Sequence, residues 1–205
     1  MLGIFRIDGP LYNFGSWIYR FFFLSFLWTV FSLPVCTIGA ATTALFYVTH
    51  KWVAGEDTLI WGSFWKSFKE NFRQATVIWI ILGVLIYIIF INIQVAGFFG
   101  ELSKMVYYLQ LVALIELCMT AIYVFPLVAR HHVTVFGGLR AAFFMANRHL
   151  VTTIMVVLGI VGLYSISQYV GAILLFAISL YGYWTSRLVL PVFRRYEPDE
   201  ADKED

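Results

Sequence analysis

Four long stretches almost free of charge constrain this chain more than any other feature of its sequence. They cover residues 21–49, 75–100, 105–129 and 150–186, and Glu116 in the third is the one charged residue among them. A membrane-spanning α-helix needs about 20 apolar residues. The second and third stretches therefore predict one span each. The last, 37 residues long, predicts two spans joined by a turn at residues 165–168.

The composition indicates that lipid is the solvent for most of the chain. Hydrophobic residues make up 61% of the sequence and charged residues only 13%, whereas soluble domains carry about 25% charged residues. We expect an all-α, polytopic transmembrane helical bundle that forms a single domain over residues 1–196. Residues 197–205 contain six carboxylates and predict a disordered acidic tail, because so charged a segment has no apolar surface to bury.

The first charge-free stretch has a break in its middle. Its 29 residues are too many for one upright span and too few for two full ones. Pro34 and Gly39 interrupt it, and proline both removes a backbone donor and disfavours helix in the residue before it. We therefore predict a helix over residues 17–33, a turn, and a shorter helix over residues 40–52. This hairpin gives six membrane segments, whereas a single crossing gives five.

The distribution of basic residues predicts the topology. Alternate connections between the spans carry the lysines and arginines, which are Lys51, Lys66, Lys69, Arg73, Arg130, Arg140, Arg148, Arg187, Arg194 and Arg195. Because Lys and Arg are enriched in cytoplasmic loops, we expect a multi-pass protein of the cell membrane with both termini in the cytoplasm. The basic residues are too sparse for a nucleic-acid surface.

Two of the basic connections have helical periodicity. Aromatic and aliphatic residues recur every three or four positions over residues 61–73 and 136–149, and most basic residues fall off these stripes. Such segments predict two short amphipathic interfacial helices that lie flat on the inner surface of the bilayer. The residues expected to contact lipid are Trp61, Trp65, Lys66, Lys69, Arg73, Arg140 and Arg148.

Residues 62–83 and 137–159 resemble each other. Gly62, Phe68 and Arg73 recur 75 positions later, and Asn71, Thr76, Ile78, Leu82 and Gly83 recur 76 positions later. One single-residue gap reconciles the two sets. The matches indicate either chance similarity between apolar segments or a helical unit that occurs twice, as in transporter folds with internal repeats.

Several polar side chains within the spans are candidates for a functional site. Glu116 is the foremost, because a charge at the centre of a span costs about 3 kcal/mol and such residues usually face the bundle interior. It predicts either a proton or substrate site or a protonated acid bonded to another helix. Asn92, Gln94 and Gln110 lie towards the outer ends of their spans. They predict hydrogen bonds between helices or contacts with a polar solute.

The turn at Pro34, Thr37 and Gly39 is a further candidate. Irregular backbone between two apolar helices lines a cavity in discontinuous transporter helices, and it also forms ordinary tight turns. The four histidines, His50, His131, His132 and His149, match no metal-ligand spacing. Since no nucleophile, phosphate-loop or paired-carboxylate motif occurs either, we expect no enzymatic activity, cofactor or metal.

Three motifs carry a resemblance to a known family. They cover residues 33–45 (LPVCTIGAATTAL), 64–72 (FWKSFKENF) and 123–130 (YVFPLVAR). The chain resembles the YesL-like family of small bacterial integral membrane proteins, whose domain has no assigned function. Members of this family often occur beside genes for carbohydrate uptake and polysaccharide degradation. The resemblance therefore implies an accessory or regulatory role in carbohydrate uptake, with permease subunits of an importer and the lipid bilayer as partners.

Two functions are consistent with these patterns. The first is the non-enzymatic accessory role that the resemblance implies. The second is a small solute transporter or channel that uses Glu116, as the interrupted first hairpin and the repeated segment indicate. A polar cavity that reaches Glu116 favours the second function, and a solid apolar interior favours the first.

Overall fold

The computed structural model describes residues 10–95, 100, 102–131, 133–169 and 174–196. This part of the chain contains seven α-helices, a 3-10 turn between the first two of them, and no strand. The helices are α1 (Pro10–Ser32), α2 (Ile38–Val53), α3 (Ile60–Val95), α4 (Ser103–Arg130), α5 (Val135–Arg148), α6 (Leu150–Tyr169) and α7 (Leu174–Arg194). The predicted all-α bundle is confirmed, and the predicted acidic tail lies outside the described residues.

Four of the described helices are long and apolar enough to cross a membrane, namely α1, α3, α4 and α6. Helix α2 has 16 residues and is about 24 Å long, which is shorter than the hydrocarbon core of about 30 Å. The predicted hairpin of α1 and α2 is nevertheless present, with a 3-10 turn at Val35–Thr37 between the two helices. The chain is therefore a multi-pass membrane protein.

Helix α2 is the centre of the packing. Eleven of its 16 residues are buried, and they contribute to both hydrophobic clusters of the described residues. On one side Phe46 packs with residues of α3, α4 and α7. On the other side Ala40, Ala44 and Leu45 pack with α1 and the first half of α3. The small residues of α2 explain this position, because they allow neighbouring backbones to approach closely.

Helix α3 corrects the first of the two predicted interfacial helices. Residues 61–73 are helical, but they continue without a break into the following span, so that α3 has 36 residues and a length of about 54 Å. Phe64 and Phe68 are buried against Phe31 of α1. The aromatic stripe therefore binds another helix as well as facing outward, and this packing keeps the segment in line with the span.

Helix α5 is a separate amphipathic helix, as predicted, but it does not lie across the helix ends. Gly138 near its start faces Val128 of α4, and Asn147 at its end bonds to Glu116, twelve positions further back along α4. The two helices are thus antiparallel neighbours. A face of small residues makes this possible, since Gly138, Ala142 and Ala146 are the buried positions of α5.

Helices α5 and α6 meet at a bend. His149 alone separates them, with φ −115° and ψ 51°, and the bonds from His149 N to Met145 O and from Thr153 N to His149 O, each 3.0 Å, continue the helical pattern on both sides. We call α2 and α3 the first unit, and α4, α5 and α6 the second unit. Helix α3 begins at residue 60 and α5 at residue 135, which is the spacing of the sequence matches.

The turn predicted at residues 165–168 is wrong. Helix α6 continues through these residues to Tyr169, and Ser167 is buried, with its hydroxyl donating to Tyr164 O at 2.7 Å. A serine hydroxyl can donate to a backbone carbonyl three or four residues earlier in the same helix. Ser167 is therefore compatible with a continuous helix at this position.

The two halves of the spans are packed very differently. In α4 every residue from 122 to 129 is buried, whereas none from 103 to 119 is. In α3, Ile89 is the one buried residue between positions 83 and 95. The tightly packed layer therefore lies at the end of the molecule that holds Arg130. The apolar halves of α3 and α4 at the opposite end, which we call the outer halves, are exposed.

Candidate functional site

Glu116 is joined to α5 rather than to another transmembrane polar group. Its Oε2 accepts a hydrogen bond of 2.9 Å from Asn147 Nδ2, and Asn147 also donates to Phe143 O at 3.1 Å. Glu116 lines none of five cavities that border the described helices. The glutamate thus fixes the end of α5 against the middle of α4.

The other polar residues of the spans do not converge on Glu116. Asn92 and Gln110 are half-buried and Gln94 is exposed. Gln110 lies six residues before Glu116 on α4, which is a separation of about 9 Å along the helix axis. Their role as a candidate intramembrane polar site therefore stays a prediction.

The turn between α1 and α2 is held by its own side chains. The Thr37 hydroxyl lies 2.5 Å from Phe31 O, a carbonyl in the last turn of α1, and 2.7 Å from Pro34 O, which also accepts from Thr37 N at 2.8 Å. A Cβ on Gly39 would collide with Ala75 O and lie 2.7 Å from Trp79 Cβ. Pro34, Thr37 and Gly39 thus serve the turn and the close approach of α2 to α3.

The predicted lipid contacts of the first segment form an exposed aromatic and basic surface. Trp61 and Trp65 are stacked at 6.0 Å, and Lys69 Nζ lies 5.2 Å from the centre of the Trp65 ring. Lys66 and Arg73 are exposed beside them. Aromatic rings with adjacent cations suit the headgroup region of a bilayer, so the interpretation as an interfacial surface remains a prediction for this half of α3.

The basic residues of the second segment lie on aromatic rings. The Arg140 guanidinium is 5.8 Å from the Phe144 ring, and that of Arg148 is 5.8 Å from the Tyr196 ring. His149 Nε2 and Tyr196 Oη are 3.0 Å apart. Burial and then the charges of Arg195 and Arg148 lower the pKa of His149, and the neutral ring can pair with the phenol.

A polar cavity that the sequence did not predict lies at the packed end of the molecule. Its volume is about 170 Å³, and it is bordered by the last turns of α2 and α4 and by the connection after α2. The lining residues are Tyr47, His50, Lys51, Ala54, Glu56, Ala129 and Arg130. Lys51 Nζ lies 3.5 Å from Glu56 Oε2 and 5.1 Å from the Tyr47 ring.

His50 is the unusual member of this cavity. Its side chain is 6% exposed, it lies beside the rings of Phe46 and Phe193, and neither ring nitrogen has a hydrogen-bond partner. It belongs to the last turn of α2, outside the four candidate spans. Burial, with the nearby charges of Arg130 and His131, lowers its pKa from 6.5 to about 3. The imidazole is therefore neutral at physiological pH.

The histidines do not form a metal centre within the described part of the chain. His50 and His131 both lie against Phe193, while His149 belongs to the separate contact with Tyr196. No group of three His, Cys, Asp or Glu side chains there could hold a metal ion. The side chain of His132 lies outside the described residues.

Comparison with known proteins gives a family without an assigned activity. A family model described as "Protein of unknown function, DUF624" matches residues 21–93, which include the first two motifs. The uncharacterized protein YesL of Bacillus subtilis (strain 168) is 27% identical over 210 residues, covering 98% of this chain and 100% of the relative. The chain is thus similar to YesL along its whole length and to this family over residues 21–93.

A second relative has the same character. The uncharacterized protein YteU, also of Bacillus subtilis (strain 168), is 28% identical over 200 residues, with 92% of this chain and 87% of the relative covered. No solved structure matches the chain. The resemblance predicted from the three motifs is confirmed, and neither relative's description includes a substrate or a reaction.

Proposed function

We propose that this chain is a non-enzymatic accessory component of a carbohydrate importer and binds permease subunits within the bilayer. The carbohydrate part of the proposal comes from the family resemblance. The accessory part comes from the packing, because the outer halves of α3 and α4 expose apolar faces while the other end of the bundle is closely packed. Such faces offer van der Waals surface to partner helices, which is the main force between helices in lipid.

The exposed side of α3 has a position suited to close helix packing. A Cβ added to Gly83 meets no atom within 4 Å, and neighbouring Val84 and Tyr87 are more than half exposed. Small residues at interfaces let transmembrane helices approach closely. A partner helix is therefore expected to lie over Gly83.

Affinity purification of the tagged full-length protein from its native membrane tests the proposal. After crosslinking and extraction in mild detergent, permease subunits of a carbohydrate importer should be recovered. Gly83→Leu should leave the protein folded, since the site is open, but should reduce this recovery. Gly162→Leu on α6, another open position, is the matched control. Recovery of the tagged protein alone counts against the accessory role.

The transporter alternative is tested with the same purified protein. Proteoliposomes should show no solute or proton flux above that of empty vesicles if the accessory role is correct. Flux that Glu116→Gln abolishes would instead establish the alternative, since Glu116 is the carboxylate at the centre of a span.

A further inference from the structure

A cavity larger than the one beside His50 lies between α1 and the start of α3. Its volume is about 530 Å³, within the range of about 300–1,000 Å³ that is usual for small-ligand sites. One wall is the face of α1 that holds Arg20 and Phe23, and the other includes Trp61 of α3. Tyr19 and Trp61, which both line the cavity, are more than half exposed, so their rings are accessible to a ligand.

The cavity is polar at one end and apolar at the other. Ser16, Arg20 and Phe23 line it from one face of α1, and the seven positions between the first and the last correspond to about 10 Å along the helix. The charge-free stretch begins directly after Arg20, which places the polar end at the boundary of the apolar segment. Aromatic rings are typical of this level of a bilayer. A phospholipid has the same sequence of polarity along its length.

An ion pair at the polar end selects the kind of headgroup. Arg20 Nη2 lies 2.9 Å from Asp57 Oδ1, and the two side chains are 32% and 87% exposed. This bond occupies one of the five N–H donors of a guanidinium, and the exposed carboxylate can accept from a further donor. A headgroup with a phosphate and an ammonium matches the two charges. An anionic headgroup would instead place a second negative charge beside Asp57.

We propose that this cavity binds a zwitterionic phospholipid with an ethanolamine headgroup. Its phosphate accepts from Arg20, its ammonium donates to Asp57, and the first carbons of its acyl chains lie along Phe23 and Trp61. Hydrogen bonds between charged groups are stronger than those between neutral ones. Such a selective site differs from the general contact of the basic residues of α3 with the bilayer, and the proposal does not depend on the importer role.

Native mass spectrometry of the delipidated full-length protein in mild detergent measures the selectivity. Short-chain phosphatidylethanolamine should bind about three- to fivefold more tightly than phosphatidylglycerol of the same chain length, a ratio that one exposed ion pair can supply. Asp57→Asn should abolish or reverse this preference, because the charge of Arg20 is then no longer neutralised. Glu56→Gln is the matched control and should keep the preference, since Glu56 is an exposed carboxylate of the same connection that pairs with Lys51 instead.

Filling the cavity tests its location. A Cβ added to Gly62, which lines the cavity, lies 3.9 Å from Leu59 Cβ, an ordinary van der Waals distance. Gly62→Leu should therefore leave the protein folded and weaken the binding of phosphatidylethanolamine several-fold. Gly15→Leu, at an open position of α1 outside the cavity lining, is the control. Unchanged binding by Gly62→Leu, or the same lipid preference in the wild type and Asp57→Asn, would overturn the proposal.

Discussion

The first and second units of the molecule share a set of matching residues, and their long helices differ in continuity. In the first unit α3 runs unbroken from Ile60 to Val95, whereas its counterpart in the second unit is divided at His149 into α5 and α6. Matches before the division, such as Arg73 with Arg148, are 75 positions apart, and those after it, such as Thr76 with Thr152, are 76 apart. His149 thus occupies the place of one inserted residue. Asn147 is the exception, since it precedes the division but lies 76 positions after its match, Asn71.

One added residue rotates the rest of a helix by about 100°. The second unit absorbs this rotation at His149 and gains contacts beyond it. Tyr123 Oη of α4 lies 3.1 Å from Thr153 Oγ1, and Trp184 of α7 packs on Gly159. At Gly83, which matches Gly159, the first unit has open space instead. The comparison teaches that a small change of register between similar helices decides which face of a span is closed and which is left open.

Deletion of His149 tests the register argument most directly. The deletion should rotate α6 away from Tyr123 and Trp184 and lower the free energy of unfolding by about 3 kcal/mol or more, as for other disruptions of a packed core. Thermal unfolding in mild detergent, followed by circular dichroism, measures the loss. His149→Ala retains the inserted residue and should cost much less. Equal effects of the two changes would show that the side chain, not the register, matters.

The two matching glycines should respond differently to the same substitution. Gly159→Leu should destabilise the protein by about 2 kcal/mol, because the new side chain overpacks the contact with Trp184. Gly83→Leu should change the stability by less than about 0.5 kcal/mol, as expected for an exposed position. The measurement is thermal unfolding of the purified protein, and a large loss at Gly83 would contradict the open space beside it.

The two matching asparagines offer a smaller contrast. Both donate to a carbonyl four residues earlier, but only Asn147 also bonds to Glu116. Asn147→Ala should cost about 1–2 kcal/mol, because the Glu116 carboxyl oxygen loses its hydrogen-bond donor, while Asn71→Ala should cost a few tenths. Chemical denaturation in detergent compares them. In a Glu116→Gln background the cost of Asn147→Ala should shrink; an unchanged cost would mean that the bond between them is unimportant.

The last turn of α2 also differs from the last turn of α4. His50 lies three residues before the end of α2, and Leu127 holds the same place in α4. His50→Leu should raise the stability at pH 7.5 by about 1 kcal/mol, because it removes two unsatisfied nitrogens. The pKa of His50 is lowered from 6.5 to about 3 in the folded protein. Between these pH values only the unfolded chain binds the proton, so the stability of the folded protein decreases as the pH is lowered.

The variant should lack this component of the acid sensitivity. Unfolding temperatures of the wild type and His50→Leu, measured from pH 7.5 to pH 5, should therefore diverge as the pH falls. Parallel curves would indicate that the folded protein protonates His50 as readily as the unfolded chain does.

Much of the secondary structure follows from local patterns in the sequence. The break at Pro34, the amphipathic helix that begins near residue 136 and the spans of α3 and α4 were all predicted from proline, periodicity and the lack of charge. These signals act within a few turns of one helix. The turn at residues 165–168 was predicted wrongly, because an even division of the last charge-free stretch ignores that Ser167 can satisfy itself within a helix.

Local sequence patterns did not predict the contacts of the candidate site. The lack of other charges in its span makes Glu116 stand out in the sequence, but its partner Asn147 lies 31 positions away on another helix. His50 was noted only as one of four histidines near the membrane boundary. Its burial against Phe193 and its position beside Arg130 join three helices, and no spacing along the chain indicates such a meeting.

The sequence by itself determined that this chain is a helical membrane protein that resembles the YesL-like family, because hydrophobic length, charge placement and three motifs are properties of single segments. The tertiary structure alone decided that α3 is continuous, that α5 packs along α4 and that a polar cavity forms around His50. Which surfaces meet depends on the fit of side chains from different helices. A glycine or an alanine contributes to that fit because its small side chain leaves space for a neighbouring helix. The sequence of one segment does not show whether a neighbour fills that space.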